Sequence, residues 1–242
     1  MAGILFAVLF YAAALILAGG LGFRIRDYLR TPAPLRIPTT PAPTTGGGVV
    51  LRMAREVIFF ESLFKGSLWT WAFGWLFHAS LVLVLMRHLR YFTQPVWFWV
   101  DAVQAFGVYA GLAMVLGLCG LWARRFLVDR VRYISTLSDH LMLALLILIA
   151  VSGLSMKFLD HADVIGVKAF FLGLMQLDPQ PLPMNPLLYL HLSLVAALMI
   201  IFPFSKLLHA PGVFFSPSRN QPDNPREHRH IAPWAEKLES EA

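Results

Sequence analysis

Eight histidines occur in this chain of 242 residues, and four of them stand in two long apolar stretches. The first stretch runs from Gly66 to His88 and carries His78 and His88. The second runs from Leu187 to His209 and carries His191 and His209. An imidazole inside a bilayer is costly and is usually kept for a task. Haem iron accepts imidazole nitrogen, and two axial histidines leave no open position, which favours electron transfer over oxygen chemistry. Two histidines on each of two spans of opposite direction therefore suggest two stacked bis-imidazole haems.

Antiparallel spans pair His78 with His209 and His88 with His191. In a continuous helix, ten residues separate the first two by about 15 Å and eighteen separate the second two by about 27 Å. Eighteen residues make five whole turns, so His191 and His209 would share a face; ten fall about 80° short of whole turns, so His78 and His88 share one only loosely. Tilt and the haem planes must absorb the mismatch. The alternative for His88 and His209 is an interfacial role, since Arg87 and Lys206 lie beside them. The other histidines read differently. His140 stands beside Asp139 near the start of a span and suits capping or the interface. His161 lies in a loop, and His228 and His230 lie in a polar tail.

The elements that hold these side chains follow from composition. The chain is 57% hydrophobic and only 14% charged, against about 25% charged residues in a soluble domain. Its mean hydropathy is +0.64. Apolar residues come in blocks of roughly twenty, the length that crosses ~30 Å of hydrocarbon. The reading is an all-α integral membrane protein with spans at about 3–23, 67–88, 102–123, 139–158 and 187–208. The first is read as an uncleaved span. Residues 1–212 form the membrane domain and 213–242 a cytoplasmic tail. A Pro/Thr/Gly stretch at 31–48 suits an extended, solvated linker. The segment 49–65 suits a short interfacial helix. Val164–Leu177 is too short to span and is expected along the interface. Ser138 and Asp139 are the expected cap of the fourth span.

Lysines and arginines orient the bundle. Sixteen of the twenty lie in 24–65, 123–135 and 206–242, and four lie in the alternate loops. The positive-inside rule then places the N-terminus outside and the C-terminus in the cytoplasm. The net charge of +6 needs no nucleic acid to explain it. The single cysteine, Cys119, excludes a disulfide framework and any iron–sulfur motif within the chain. Glycines 107, 111, 117 and 120 in the third span permit close approach of a helix or of a flat cofactor. Arg87 and Arg90 could hold haem propionates, and Asp101 and Gln104 could serve a quinone near the outer haem. Helix-end anchoring is the plainer role for all four.

The histidine spacing, together with His191-Leu-Ser-Leu and Phe202-Pro-Phe-Ser-Lys-Leu-Leu-His209, resembles the NarI family, the cytochrome b subunits of respiratory nitrate reductase. The resemblance covers roughly residues 3–210 and agrees with five spans and an outer N-terminus. Beyond it, His209-Ala-Pro-Gly-Val-Phe-Phe-Ser-Pro-Ser-Arg-Asn-Gln-Pro, continuing to Arg229-His230 and Pro233-Trp234, departs from nitrate-reductase subunits. That stretch is similar to the DsrM family, the NarI-like cytochromes of the Dsr complex of dissimilatory sulfur metabolism. The resemblance implies two non-covalent haem b groups. His78 and His209 would hold the cytoplasmic-side haem, and His88 and His191 the outer haem beside the quinone site. It also implies menaquinone or ubiquinone as redox partner and a location in the cell inner membrane. Its partner would be a DsrK-type iron–sulfur subunit related to heterodisulfide reductase, within a larger Dsr complex that acts on the small protein DsrC. Nitrate-reductase subunits carry a lysine near the start of the third span that helps the quinone; here none stands there, and Gln104 lies nearest.

Two rivals remain open. A true nitrate-reductase subunit would co-purify with a molybdenum subunit. A haem-free anchor or small transporter, in which the histidines relay protons or bind substrate, would show no b-type absorption.

Overall fold

The computed structural model of the chain describes residues 2–32, 37–224, 231, 235, 236 and 238, and all regular structure among them is helical. Helix α1 spans Ala2–Arg30, α2 Gly46–Phe59, α3 Glu61–Gly66 and α4 Leu68–His88. Then come α5 Phe98–Ala102, α6 Phe106–Leu127, α7 Asp129–Ile134 and α8 Leu137–Phe158. After them stand α9 Val164–Met175, α10 Pro186–Ile201, α11 His209–Gly212 and α12 Pro217–Asn220. Among the described residues, five helices are long and apolar enough to cross a membrane: Ala2–Arg30, Leu68–Tyr91, Phe106–Leu127, Leu137–Phe158 and Pro186–Phe204. The expected second and fifth spans are thus α4 and α10.

Several boundaries differ from expectation, each for a local reason. Helix α1 runs past Phe23 to Arg30 because its basic turn is helix-compatible and the chain stops only at Pro32, whose ring disfavours helix in the residue before it. The third span begins at Phe106, not 102. There Gln104 Nε2 donates to the Val100 carbonyl at 2.9 Å, a side-chain bond that competes with the backbone ladder and closes α5 early. Asp101 and Gln104 therefore lie in and just after α5, not at the head of the third span. The fourth span begins at Leu137, and its cap is Thr136, which forms a capping box with Asp139; Ser138 is already inside the helix. Arg125 reaches the same carboxylate at 3.6 Å, and Asp139 is buried. Replacing Thr136 by alanine should cost about 1 kcal/mol and lower the melting temperature of the detergent-solubilised protein by about 2–4 °C.

The fifth span changes most. Helix α10 stops at Ile201, and Phe202–Phe204 forms a single 3-10 turn. Proline lacks an N–H and clashes with the preceding turn. Ser205 then becomes extended, at φ −114° and ψ 174°, and caps the turn Lys206–Leu208 by accepting from Leu207 N. His191 and His209 are not on one continuous helix, so the expected shared face does not exist.

The described chain forms two compact units, Met1–Ile16 with Leu63–Ile201, and Leu17–Ser62 with Phe202–Ala242. In the first, α4 packs along α6, α6 on α8 and α8 on α10. One core cluster joins Phe77, Met114, Leu118 and Ala150. A second joins Phe6, Ala7 and Phe10 of α1 to Val167, Phe170, Phe171 and Leu174 of α9 and to Leu188 and Leu192 of α10. Helix α9, expected along the interface, is thus a core element on one face, and Tyr11 Oη donates to its Leu174 carbonyl at 2.9 Å.

In the second unit the linker, though largely exposed, is hydrogen-bonded to the C-terminal segment. Thr39 N donates to Ser218 O at 2.8 Å, and Asp223 N to Pro43 O at 2.8 Å. Ile37 N donates to the buried Gln221 side chain at 3.2 Å. Its three glycines open α2, where Thr45 accepts from Gly48 N as the N-cap. Pro203 lies against Gly20, where a Cβ would meet it at 2.5 Å.

Candidate functional site

His88 is the last residue of α4, and His191 is the sixth residue of α10. Their ring centroids are 6.4 Å apart and their planes differ by 16°. Two imidazoles bound through nitrogen to opposite sides of one metal, with bonds of about 2 Å, place their centroids roughly 6 Å apart. The spacing of the pair is therefore compatible with both imidazoles holding one iron.

The hydrogen bonds fix which nitrogen is available. His88 Nδ1 donates to the Val84 carbonyl at 2.6 Å. A carbonyl only accepts, so the proton is on Nδ1 and the lone pair on Nε2. His191 Nδ1 meets Ser152 Oγ at 2.9 Å, and that hydroxyl donates its one proton to the Ile149 carbonyl at 3.0 Å. Ser152 must then accept from His191 Nδ1–H, which again leaves the lone pair on Nε2. Metal-bound histidines are commonly oriented in this way through the other nitrogen. His78 follows the same rule, with Nδ1 donating to the Gly74 carbonyl at 2.7 Å, as does His209, with Nδ1 donating to the Lys206 carbonyl at 2.9 Å. His78 is half-buried in α4, and His209 is exposed at the start of α11.

His140 has the opposite tautomer. Trp122 Nε1 donates to its Nδ1 at 3.0 Å, so its proton sits on Nε2. The Phe126 ring packs at 5.1 Å. This matches an interfacial rather than a ligating histidine. His161 is exposed in a loop, and His228 and His230 lie outside the described residues. Among the described residues, no group of three or more His, Cys, Asp or Glu side chains gathers to hold a bare metal ion. A paired-imidazole centre needs no such group, because a porphyrin brings the remaining four ligands.

Polar groups named from the sequence cluster beside His88. Arg87 Nη1 donates to the Gln104 carbonyl, and Arg90 Nη1 to Gln104 Oε1 at 3.1 Å. Gln104 Nε2 returns bonds to the carbonyls of Arg87 and Val100. The Arg87 stem lies on Gly107, where any Cβ would collide with it. The Arg90 guanidinium sits 5.7 Å from the Tyr91 ring centroid. One glutamine thus holds both guanidiniums at the end of α4, while Asp101 is exposed and takes no part in these bonds.

Sequence reasoning missed Ser152. It stands 39 positions from His191, so no local spacing links them. The available signal was the Ser152-Gly153 pair interrupting an apolar run, since polar groups inside a span are usually functional. Gly153 completes the fit: a Cβ there would come within 3.3 Å of His191 Cε1.

Residues 62–220 match the family described as nitrate reductase gamma subunit. The chain is also 37% identical, over 280 aligned residues, to the Hdr-like menaquinol oxidoreductase cytochrome b-like subunit of Archaeoglobus fulgidus, covering 97% of this chain and 84% of the relative. It is 33% identical over 277 residues to the like-named subunit of Archaeoglobus profundus, covering 95% of this chain and 82% of the relative. With five apolar helices of spanning length and a match over most of its length, the chain belongs to the nitrate reductase gamma subunit family, alongside the Hdr-like cytochrome b-like subunits.

Proposed function

We propose that this chain is a dihaem b-type cytochrome subunit of a multi-pass inner-membrane complex, relaying electrons between a membrane quinone and a cytoplasmic iron–sulfur redox subunit. The observation that carries the reading is the His88–His191 pair, 6.4 Å apart with both Nδ1 atoms engaged. His88 and His191 hold the outer haem, and His78 and His209 the cytoplasmic-side haem, with the N-terminus outside. Bound haem with two imidazole ligands supplies reversible one-electron chemistry and no open site for oxygen. The chain's own residues do the positioning. Val84 and Ser152 fix the imidazoles, and Gln104 holds Arg87 and Arg90 where guanidiniums can meet haem propionates or a quinone oxygen by charge-assisted bonds. Exposed Asp101 stands nearby as a candidate quinone contact.

The relatives are named menaquinol oxidoreductase subunits and Hdr-like. Those names support menaquinol, ahead of ubiquinol, as the quinone, and a heterodisulfide-reductase-like partner. Together with the segment after His209, they support a DsrM-type role beside a DsrK-type subunit in sulfur metabolism, with DsrC as the indirect substrate. The match to the gamma subunit of nitrate reductase sustains one second reading, and co-purification of a molybdenum subunit would select it.

The test is to add a reduced menaquinone analogue to the purified membrane protein. A b-type α-band appearing on quinol addition supports the proposal. A protein with no b-type absorption under dithionite is the haem-free anchor instead. Ser152→Ala should keep the fold but weaken retention of one haem by about 10–100-fold in affinity, measured as haem loss on dilution.

A further inference from the structure

Helix α2 carries an apolar face that is exposed among the described residues. At 100° per residue, Val50, Leu51, Ala54, Val57 and Ile58 fall within an arc of about 120°. Val50 is 70% exposed, Leu51 54% and Ile58 57%. The other side of the helix is engaged. Val49 is buried, Arg52 Nη2 donates to the Thr39 carbonyl at 3.0 Å, Glu56 accepts from Ser62 N at 3.2 Å, and α12 packs against the helix. The helix is therefore held with its aliphatic arc outward.

We propose that α2 lies in the plane of the membrane interface, with this arc in the acyl region and Arg55 among anionic headgroups. Four observations choose lipid over a protein partner. Fourteen residues give about 21 Å of helix, too short to span. Eight residues separate Phe59 from Leu68, the first residue of a span, and six of them are wound into α3. The end of α2 thus lies within roughly 20 Å of the bilayer by chain length alone. The connection is aromatic, with Phe59, Phe64 and Trp69 exposed, as in the belts that mark membrane surfaces. The rim is basic: Arg55 is exposed at the edge of the arc, while Glu56, its acidic neighbour, is bonded to Ser62. An apolar arc with an arginine rim is the pattern of an interfacial helix that prefers anionic lipid. The inference stands on α2 alone and does not depend on the haems.

The experiment uses the full-length protein in proteoliposomes of phosphatidylcholine, with and without phosphatidylglycerol. Cys119, the chain's one cysteine, is first replaced by serine. Nitroxide labels are then placed singly through Val50→Cys, Ile58→Cys and, as the aqueous reference, Thr44→Cys. The expected result is high oxygen and low nickel-chelate accessibility at 50 and 58, and the reverse at 44. Phosphatidylglycerol should increase the exclusion of nickel, and Arg55→Gln should abolish that increase. Nickel access at 50 and 58 equal to that at 44 overturns the proposal. Protection that appears only on adding a cytoplasmic partner, or that rises with protein density in the vesicle, overturns it in favour of a protein contact. An effect of phosphatidylglycerol that survives Arg55→Gln overturns the role given to the arginine rim.

Discussion

Replacing His191 with alanine is expected to strip one haem from the chain and leave the other. Pyridine haemochrome analysis should fall from about two haems per chain to about one, and quinol-driven reduction of the remaining haem should fall with it. The size of the effect follows from the site. His191 would be one of the two residues holding that haem, so its removal would leave the group held by His88 alone and the Ser152 hydroxyl without its donor. His88→Ala should give the same loss, and the double variant should lose no more, because both side chains serve one group. Combining His191→Ala with His78→Ala should instead remove both haems. His140→Ala is the control. Its Nδ1 accepts from Trp122, and its removal should leave the haem content unchanged.

A second large effect is expected at Gly117. A Cβ there would stand 2.9 Å from Phe77 N, 3.0 Å from the Phe73 carbonyl and 3.1 Å from Phe77 Cα. These are backbone atoms of α4, which cannot rotate away as a side-chain tip could. Gly117→Val must separate α6 from α4, the helix that carries His78 and His88, at a cost of about 3 kcal/mol or more. The expected outcome is little recoverable folded protein in the membrane and lost haem from what remains. Gly19→Ala offers the contrast, since among the described residues nothing beyond its own local backbone lies within 4 Å of its Cβ. It should be neutral or stabilising by about 0.5–1 kcal/mol, read as the melting temperature in detergent.

The glycines also show how far the sequence could be read. Their spacing in the third span allowed either a helix or a flat cofactor against them. In the structure helices pack against them: Gly117 and Gly120 meet Phe73 and Phe77 on α4, and Gly111 meets Leu154 on α8. Spans were legible because a bilayer demands about twenty apolar residues in a row whatever the tertiary contacts. The ends of those spans were less legible, since they depend on single side chains. Gln104 closes α5 by bonding Val100, and Pro203 with Ser205 ends the fifth span before His209. The periodicity linking His191 to His209 assumed that unbroken helix. The pairing of His88 with His191 came from span direction rather than from periodicity, so it needed no helix beyond Ile201; their ring centroids lie 6.4 Å apart. Ser152 was out of reach, because only the packing of α8 against α10 brings it to His191.

Low-temperature electron paramagnetic resonance of the oxidised protein tests the central claim most directly. If His88 and His191 hold one haem, their near-parallel rings, 16° apart, would give a rhombic low-spin ferric signal that disappears in His191→Ala. No ferric haem signal, or a low-spin signal that persists unchanged in both His88→Ala and His191→Ala, would contradict the account.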